Sequence, residues 1–333
     1  MLEKLLELDD ISLLPITNRG NQAGKCNFGV LDELDKTFSL PIFTSPVDSI
    51  VNESNVKTWI DNGIRPVLPK TLDINFRLES SKYIFTAFTL KEVQDLFINS
   101  NQGNVCRRVC IDEENGHDIG ILNAGSTLKQ IYKENINIMA GNIGNAKTYP
   151  EYCKAGIDYV RVGFNTGSLA SKDYGFYSPM ASLLLDILGT RSTSTMIGAN
   201  KYTKIIADGG IADSVDILKC IALGADYVML GRQLVKLLEA SGTIYRKDSS
   251  NADVQVEVTK EEAAQILKQH GGKDLHRIYY GEHNPGLQTS VKVTSLLSNW
   301  LGDLQNKFTY AFTLADALDW KTYKKNIKFG RVQ

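Results

Sequence analysis

The sequence contains no Cys-x-x-Cys pair, and its five cysteines (Cys26, Cys106, Cys110, Cys153 and Cys220) are odd in number and without paired spacing. That pattern excludes a disulfide framework and a structural zinc site, and leaves free thiols. No apolar run reaches the ~18 residues that span a bilayer, and the opening MLEKLLELDD places acids among its apolar positions instead of forming a signal h-region. A cytoplasmic location with no membrane partner is expected. Four histidines and a net charge of −1 supply no basic field for nucleic acid or an anionic surface, so small-molecule chemistry is the expected business of the chain. The strand-proximal GxGxxG that an open, doubly wound dinucleotide-binding sheet carries near its start is also missing. No break in composition marks a second domain.

What is present is a soluble composition, 43% hydrophobic and 23% charged over 333 residues, sufficient for one large core. Short apolar runs recur from residue 39 onward: SLPIFTS (39–45), IRPVLP (64–69), KYIFTAF (82–88), VCRRVCI (105–111), INIMAG (136–141), IDYVRVG (157–163), TKIIADGG (203–210) and ADYVMLG (225–231). Most are rich in Val, Ile and Tyr and too short for buried helices, while intervening segments such as SVDILKCIALG (214–224) carry helical apolar spacing. Eight strands alternating with helices predict an α/β fold of the (β/α)8 TIM-barrel type over 1–333. An excursion over 233–277, extending as a flap or lid to 283, follows the eighth strand. Within it Thr259 and Glu262 read as a capping box and Gly271-Gly272 as a helix stop, which predicts a helix. The tail from Asn284 to Gln333 reads as one or two helices ending in an extended KFGRVQ.

Residues just past the strand ends face the active site of such a barrel. They are Ser45 and Asp48, Lys70, Asp112 with Asn115 and Gly116, Gly141-Asn142, the loop 163–172, Asp208-Gly209-Gly210, and Gly231-Arg232. Glycines after strands six, seven and eight let backbone N–H groups approach an anion, and Ser168 and Arg232 add a hydroxyl and a guanidinium. The plainer reading is that these glycines only make tight turns. The Asp208 carboxylate would repel a phosphate, so it is expected to accept hydrogen bonds from ribose hydroxyls. Together these point to a nucleoside monophosphate or the phosphate tail of a flavin.

Nearly the whole chain resembles the inosine monophosphate dehydrogenase and GMP reductase superfamily. The resemblance is carried, in order, by LDDISLLP, SPVDSI, CIDEENGH, IMAGN, RVGFNTGS, ADGG, GADYVMLG, YYG and a terminal FGRVQ. Lys70 in PVLPK, the DEENGH segment and the absence of a regulatory-domain insertion look more like GMP reductase. The resemblance implies a reaction of GMP with NADPH (or NADH) giving IMP, ammonia and the oxidised cofactor. It implies purine nucleotide contacts from Ser168, Asp208, Gly209, Gly210, Gly231, Arg232, Tyr280 and Gly281, and cofactor contacts from Asp112, Asn115, Gly116, Gly141 and Asn142. A monovalent cation such as K+ on the carbonyls of Gly163 and Gly167 and a homotetramer also follow from it. Lys70 is the catalytic helper carried over from the resemblance, and Lys172 and Glu282 are further candidates at positions that depart from the family pattern.

In the family a cysteine thiolate adds to purine C2, and the matching loop ends on that cysteine. Here it reads Gly167, Ser168, Leu169, Ala170. An alanine methyl cannot form the thioimidate, so the covalent path is closed as written. Ala170 is either a substitution made to trap nucleotide, or native to a divergent enzyme, or the mark of a nucleotide binder without turnover. Lys172 stands where threonine is usual, and the expected glutamate falls near Pro285 with Glu282 close by. Cys110 shares a strand face with Asp112 but reads as packing, and Cys153 and Cys220 fall on predicted outer helices. Lys172 either orients an anion or faces solvent; Tyr174 and Tyr177 either stack on a ring or pack; His283 either shuttles protons or is a plain lid residue. An IMP dehydrogenase-like enzyme running the opposite redox sense is the alternative activity.

Overall fold

The computed structural model describes residues 5–17, 25–32, 36–100, 108–164, 175–194, 202–247, 255–272, 274–280 and 288–332. Each of the eight apolar runs contains one barrel strand: β1 (Ile42–Thr44), β2 (Val67–Leu68), β3 (Phe85–Phe88), β4 (Arg108–Asp112), β5 (Asn137–Ile143), β6 (Tyr159–Val162), β7 (Lys204–Asp208) and β8 (Tyr227–Leu230). Every strand is parallel to its sequence neighbour from β2 to β8, and β8 pairs in parallel with β1. The ring closes between β1 and the approach to β2, where Arg65 N–H donates to the Ile42 carbonyl at 2.9 Å and Thr44 N–H to the Arg65 carbonyl at 2.9 Å. The chain is therefore a (β/α)8 barrel.

Alternation along each strand divides the barrel's two faces. Inward positions supply Phe43, Val67, Phe85, Ala87, Cys110, Met139, Tyr159, Ile206, Tyr227 and Met229, all buried. Their rings meet edge on, Phe85 and Tyr159 at 5.2 Å between centroids and Phe43 and Phe85 at 5.9 Å. Outward positions meet the surrounding helices, α1 (Val56–Asp61), α2 (Ile74–Ser80), α3 (Leu90–Val93), α4 (Ile119–Tyr132), α5 (Tyr149–Lys154), α6 (Met180–Ser194) and α7 (Ser214–Ala222). Local chemistry sets where these helices begin. The Asp118 side chain accepts from Gly120 N–H to start α4, and Asp213 with Asp216 forms a capping box on α7.

After β8 the chain leaves the barrel through the short helix α8 (Arg232–Val235) and builds a four-stranded antiparallel sheet. Its strands are β9 (Ile244–Lys247), β10 (Gln255–Val258), β11 (Leu275–Tyr280) and β12 (Gln288–Lys292), in the order β10, β9, β11, β12. Sequence reading anticipated only a helix here. That helix, α9 (Lys260–His270), has the Thr259–Glu262 capping box and ends on Gly271 at φ 64°. It shares a small core of Leu238, Ile244, Ala263, Leu275 and Val293 with the sheet. The tail forms α10 (Leu297–Leu314) and α11 (Trp320–Asn326), then a strand, Lys328–Arg331, antiparallel to Ile11–Leu14.

Candidate active site

The C-terminal mouth of the barrel carries a buried chain of charges. Arg161, fully buried on β6, donates from Nε to Asp208 Oδ2 at 2.8 Å and from Nη1 to Asp112 Oδ1 at 2.5 Å. Asp112 and Asp208 are the last residues of β4 and β7, so strand length alone delivers both carboxylates to the mouth. Lys70, just past β2, reaches Asp112 Oδ2 at 3.2 Å and donates to its carbonyl at 2.9 Å. Asn142 on β5 donates from Nδ2 to Asp208 Oδ2 at 2.7 Å. Burial pushes the Asp112 carboxyl up, yet Arg161 and Lys70 together outweigh it and hold the group below its ordinary range. It is therefore an anion at neutral pH.

The sequence singled out four of these five residues and missed Arg161. A signal existed: in IDYVRVG the arginine shares its strand face with Tyr159, so an inward Tyr159 puts Arg161 inside as well. Asn142 offers a further clue. Its Oδ1 is buried and accepts no hydrogen bond from the described residues, and a buried acceptor of this kind at a mouth suits a donor from a ligand. That acceptor, beside two fixed carboxylates, fits the ribose hydroxyls or carboxamide of a nicotinamide nucleotide.

Glycines bring the elements of the mouth into contact. A Cβ on Gly116 would lie 2.4 Å from the Asn142 carbonyl oxygen, and one on Gly163, at φ 137°, would lie 2.1 Å from the Asp208 carbonyl oxygen. Both positions thus have packing reasons for glycine, beside the cofactor and cation contacts expected of them. Gly209 and Gly210 turn the chain after β7 at φ 102° and 70°. Across the mouth, a Cβ on Gly231 would meet the Tyr279 hydroxyl at 2.7 Å and Ser45 Oγ at 3.2 Å. Arg232 is exposed at the start of α8, Asn115 is exposed, and Asp48 accepts from the Thr71 hydroxyl at 2.5 Å. Cys110 packs in the barrel interior, while Cys153 and Cys220 are buried on α5 and α7. Tyr177 is exposed, and Tyr280 ends β11. Gly167, Ser168, Ala170, Lys172, Tyr174, Gly281, Glu282 and His283 lie outside the described residues.

His117, also missed, ties two loops of the mouth together. Its Nε2 accepts from Gly144 N–H at 3.0 Å, which leaves the proton on Nδ1 to donate to Thr148 Oγ1 at 2.7 Å. Burial depresses its basicity below the ordinary value. A folded-state value lowered in this way favours the fold above the unfolded-state value of about 6.5, and the contribution is lost as pH falls through the folded-state value. We expect His117→Gln to cost about 1 kcal/mol at pH 7.5 and progressively less toward pH 5. Urea denaturation of both proteins across that range checks this, and a pH-independent difference would refute it.

A family model described as the IMP dehydrogenase / GMP reductase domain matches residues 100–332, more than half of the chain. The inosine-5'-monophosphate dehydrogenase of Bacillus subtilis is 36% identical over 137 residues, 40% of this chain and 26% of the relative. That of Chlorobaculum parvum is 35% identical over 123 residues, 37% and 24% of the two chains, and that of Rhodopirellula baltica 31% over 134 residues, 40% and 24%. The match spans about a quarter of the length of these curated relatives. None of the described helices is long and apolar enough to cross a membrane. With the barrel, the mouth and the long matching segment in agreement, this chain belongs to the IMP dehydrogenase / GMP reductase domain family.

Proposed function

We propose that the chain binds a purine nucleoside monophosphate and a nicotinamide cofactor at the barrel mouth in the manner of a GMP reductase, with the thiolate step closed at Ala170. The carrying observation is the buried array Asp112, Arg161, Asp208 and Asn142, with the half-buried Lys70 at its outer end. Asp208 would accept from the nucleotide ribose, and the turn at Gly209-Gly210 with Gly231-Arg232 would receive the phosphate, together with Ser168, Tyr280 and Gly281. Asp112 and Asn142, with Asn115, Gly116 and Gly141, would hold the cofactor. A reduced nicotinamide bound there supplies hydride toward purine C2. Lys70, joined to Asp112, places an ammonium beside that cofactor segment and favours the reductase sense. Lys172 and Glu282 would handle protons, and the antiparallel sheet with α9 would form the flap.

Two further readings have support of their own. The names of the curated relatives favour an IMP dehydrogenase, using NAD and activated by K+ at the carbonyls of Gly163 and Gly167. Ala170 itself favours a nucleotide binder without turnover. One experiment separates all three: NADPH oxidation with GMP, and NAD reduction with IMP and K+, for the chain and for Ala170→Cys. We expect GMP-dependent NADPH oxidation in Ala170→Cys, at least 100-fold above the parent. IMP-dependent turnover alone would favour the dehydrogenase, and calorimetric GMP or IMP binding with silence in both assays would favour the binder. Light scattering tests the homotetramer that family analogy suggests.

A further inference from the structure

The two carboxylates assigned above to two different ligands share one guanidinium. Asp208 takes the Nε proton of Arg161 at 2.8 Å and Asp112 takes an Nη1 proton at 2.5 Å, from strands on opposite sides of β6 in the barrel order. A guanidinium is planar and rigid, so turning one carboxylate turns the group that holds the other. Arg161 is confined because its side chain is fully buried and its base packs so close to Gly141 that a Cβ there would lie 2.6 Å from both the Arg161 Cβ and its carbonyl oxygen. The same strand β5 also carries Asn142, the second donor to Asp208. The outer end is more open to solvent, where Lys70, with 38% of its side chain exposed, holds the other oxygen of Asp112.

We propose that Arg161 is a positioning residue that couples the nucleotide and nicotinamide sites, so that each ligand raises the affinity of the other. This rests on the purine nucleotide reading of the mouth. A ligand that fixes Asp208 through its ribose also fixes the Arg161 plane and with it the Oδ1 side of Asp112. The second ligand then meets an already ordered carboxylate and loses less conformational freedom on binding. Linkage requires the two effects to be equal in size.

Alanine at 170 makes the test an equilibrium one, since the thiolate step cannot consume the complex. GMP is titrated into the full chain by calorimetry with and without saturating NADPH, and NADPH with and without GMP. Each ligand is expected to tighten the other by the same factor, on the order of 10-fold. Arg161→Lys, whose ammonium cannot hold both carboxylates in one plane, is expected to bring that factor close to 1 while each ligand still binds alone. An arginine needed only for folding would shift both affinities and leave their ratio intact. A factor near 1 in the parent chain, or an unchanged factor in Arg161→Lys, overturns the proposal. If Arg161→Lys does not fold, Asp112→Asn, which weakens the same contact, must lower the factor. Failure of the parent to bind GMP or NADPH either alone or in the presence of the other sinks the nucleotide reading itself, an outcome distinct from independent binding of both.

Discussion

Arg277→Met is expected to destabilise the protein by about 4 kcal/mol, because a single side chain satisfies five buried carbonyls. Arg277 is fully buried on β11. Its Nε donates to Gly242 at 2.7 Å, Nη1 to Val235 at 2.5 Å and Leu237 at 2.8 Å, and Nη2 to Leu238 at 3.2 Å and Ala240 at 3.1 Å. All five guanidinium donors are thereby used, in a fork that matches the curve of the chain leaving β8. Burial pulls its basicity down to about 10, with Glu239 pulling the other way, so it remains a cation at neutral pH. Methionine fills the space of the stem but removes a donor from all five carbonyls, of which Leu237 keeps a second donor in Ala240 N–H and Gly242 is reached by water, so about three remain unpaired at about 1–3 kcal/mol each. Lysine has three donors and is expected to recover about half of the loss. Urea denaturation reads the magnitude, and amide exchange should quicken first over residues 237–242, whose N–H groups lie in the same segment. A methionine variant within 1 kcal/mol of the parent would refute this account.

The consequence reaches the mouth. Two residues along β11 from Arg277 is Tyr279, whose hydroxyl stands against Gly231 at the proposed phosphate turn. Arg277 therefore fixes the base of the antiparallel sheet against the segment that follows that turn.

The barrel was legible because its strands are local statements: eight compact apolar runs, seven of them closed by a glycine, proline, lysine or aspartate, with helical spacing between them. The α9 cap was legible for the same reason, since Thr259 and Glu262 are three residues apart. The antiparallel sheet was not. Its partners join Tyr245 to His276 and His276 to Lys292, pairings made at a distance that composition does not announce, and two of its strands are strongly polar. Buried charges were the least legible. Arg277, Arg65 and Arg108 look like surface residues in sequence, because the groups that make their burial possible lie up to 76 residues away. The mouth residues Lys70, Asp112, Asn142 and Asp208 were found by their place at strand ends, but how they are held depends on Arg161.

At the opposite end of the barrel, Asp32→Asn is expected to destabilise the protein by about 3–5 kcal/mol, the range for a buried charge pair broken from one side. Asp32 follows a short hairpin strand, Val30–Leu31, and is 2% exposed beneath the barrel. Its Oδ2 accepts from Arg65 Nη1 at 2.7 Å and Arg108 Nη1 at 3.0 Å, and Oδ1 from Arg108 Nη2 at 3.4 Å. Arg65 also lies over the Tyr227 ring at 5.3 Å, and none of the described residues accepts from its Nε. Asparagine removes the charge that compensates two buried guanidiniums and turns an N–H2 group toward one of them. Adding Arg108→Met should restore part of the loss, because one uncompensated cation leaves with it; a double variant less stable than Asp32→Asn would refute the pairing. Urea midpoints with unchanged slopes give the measurement. Ligand affinities at a temperature where the variant is folded should stay within twofold of the parent, since the foot of such a barrel serves stability and the mouth serves chemistry. A tenfold loss of nucleotide affinity in folded Asp32→Asn would show that the two ends are not separable in this chain.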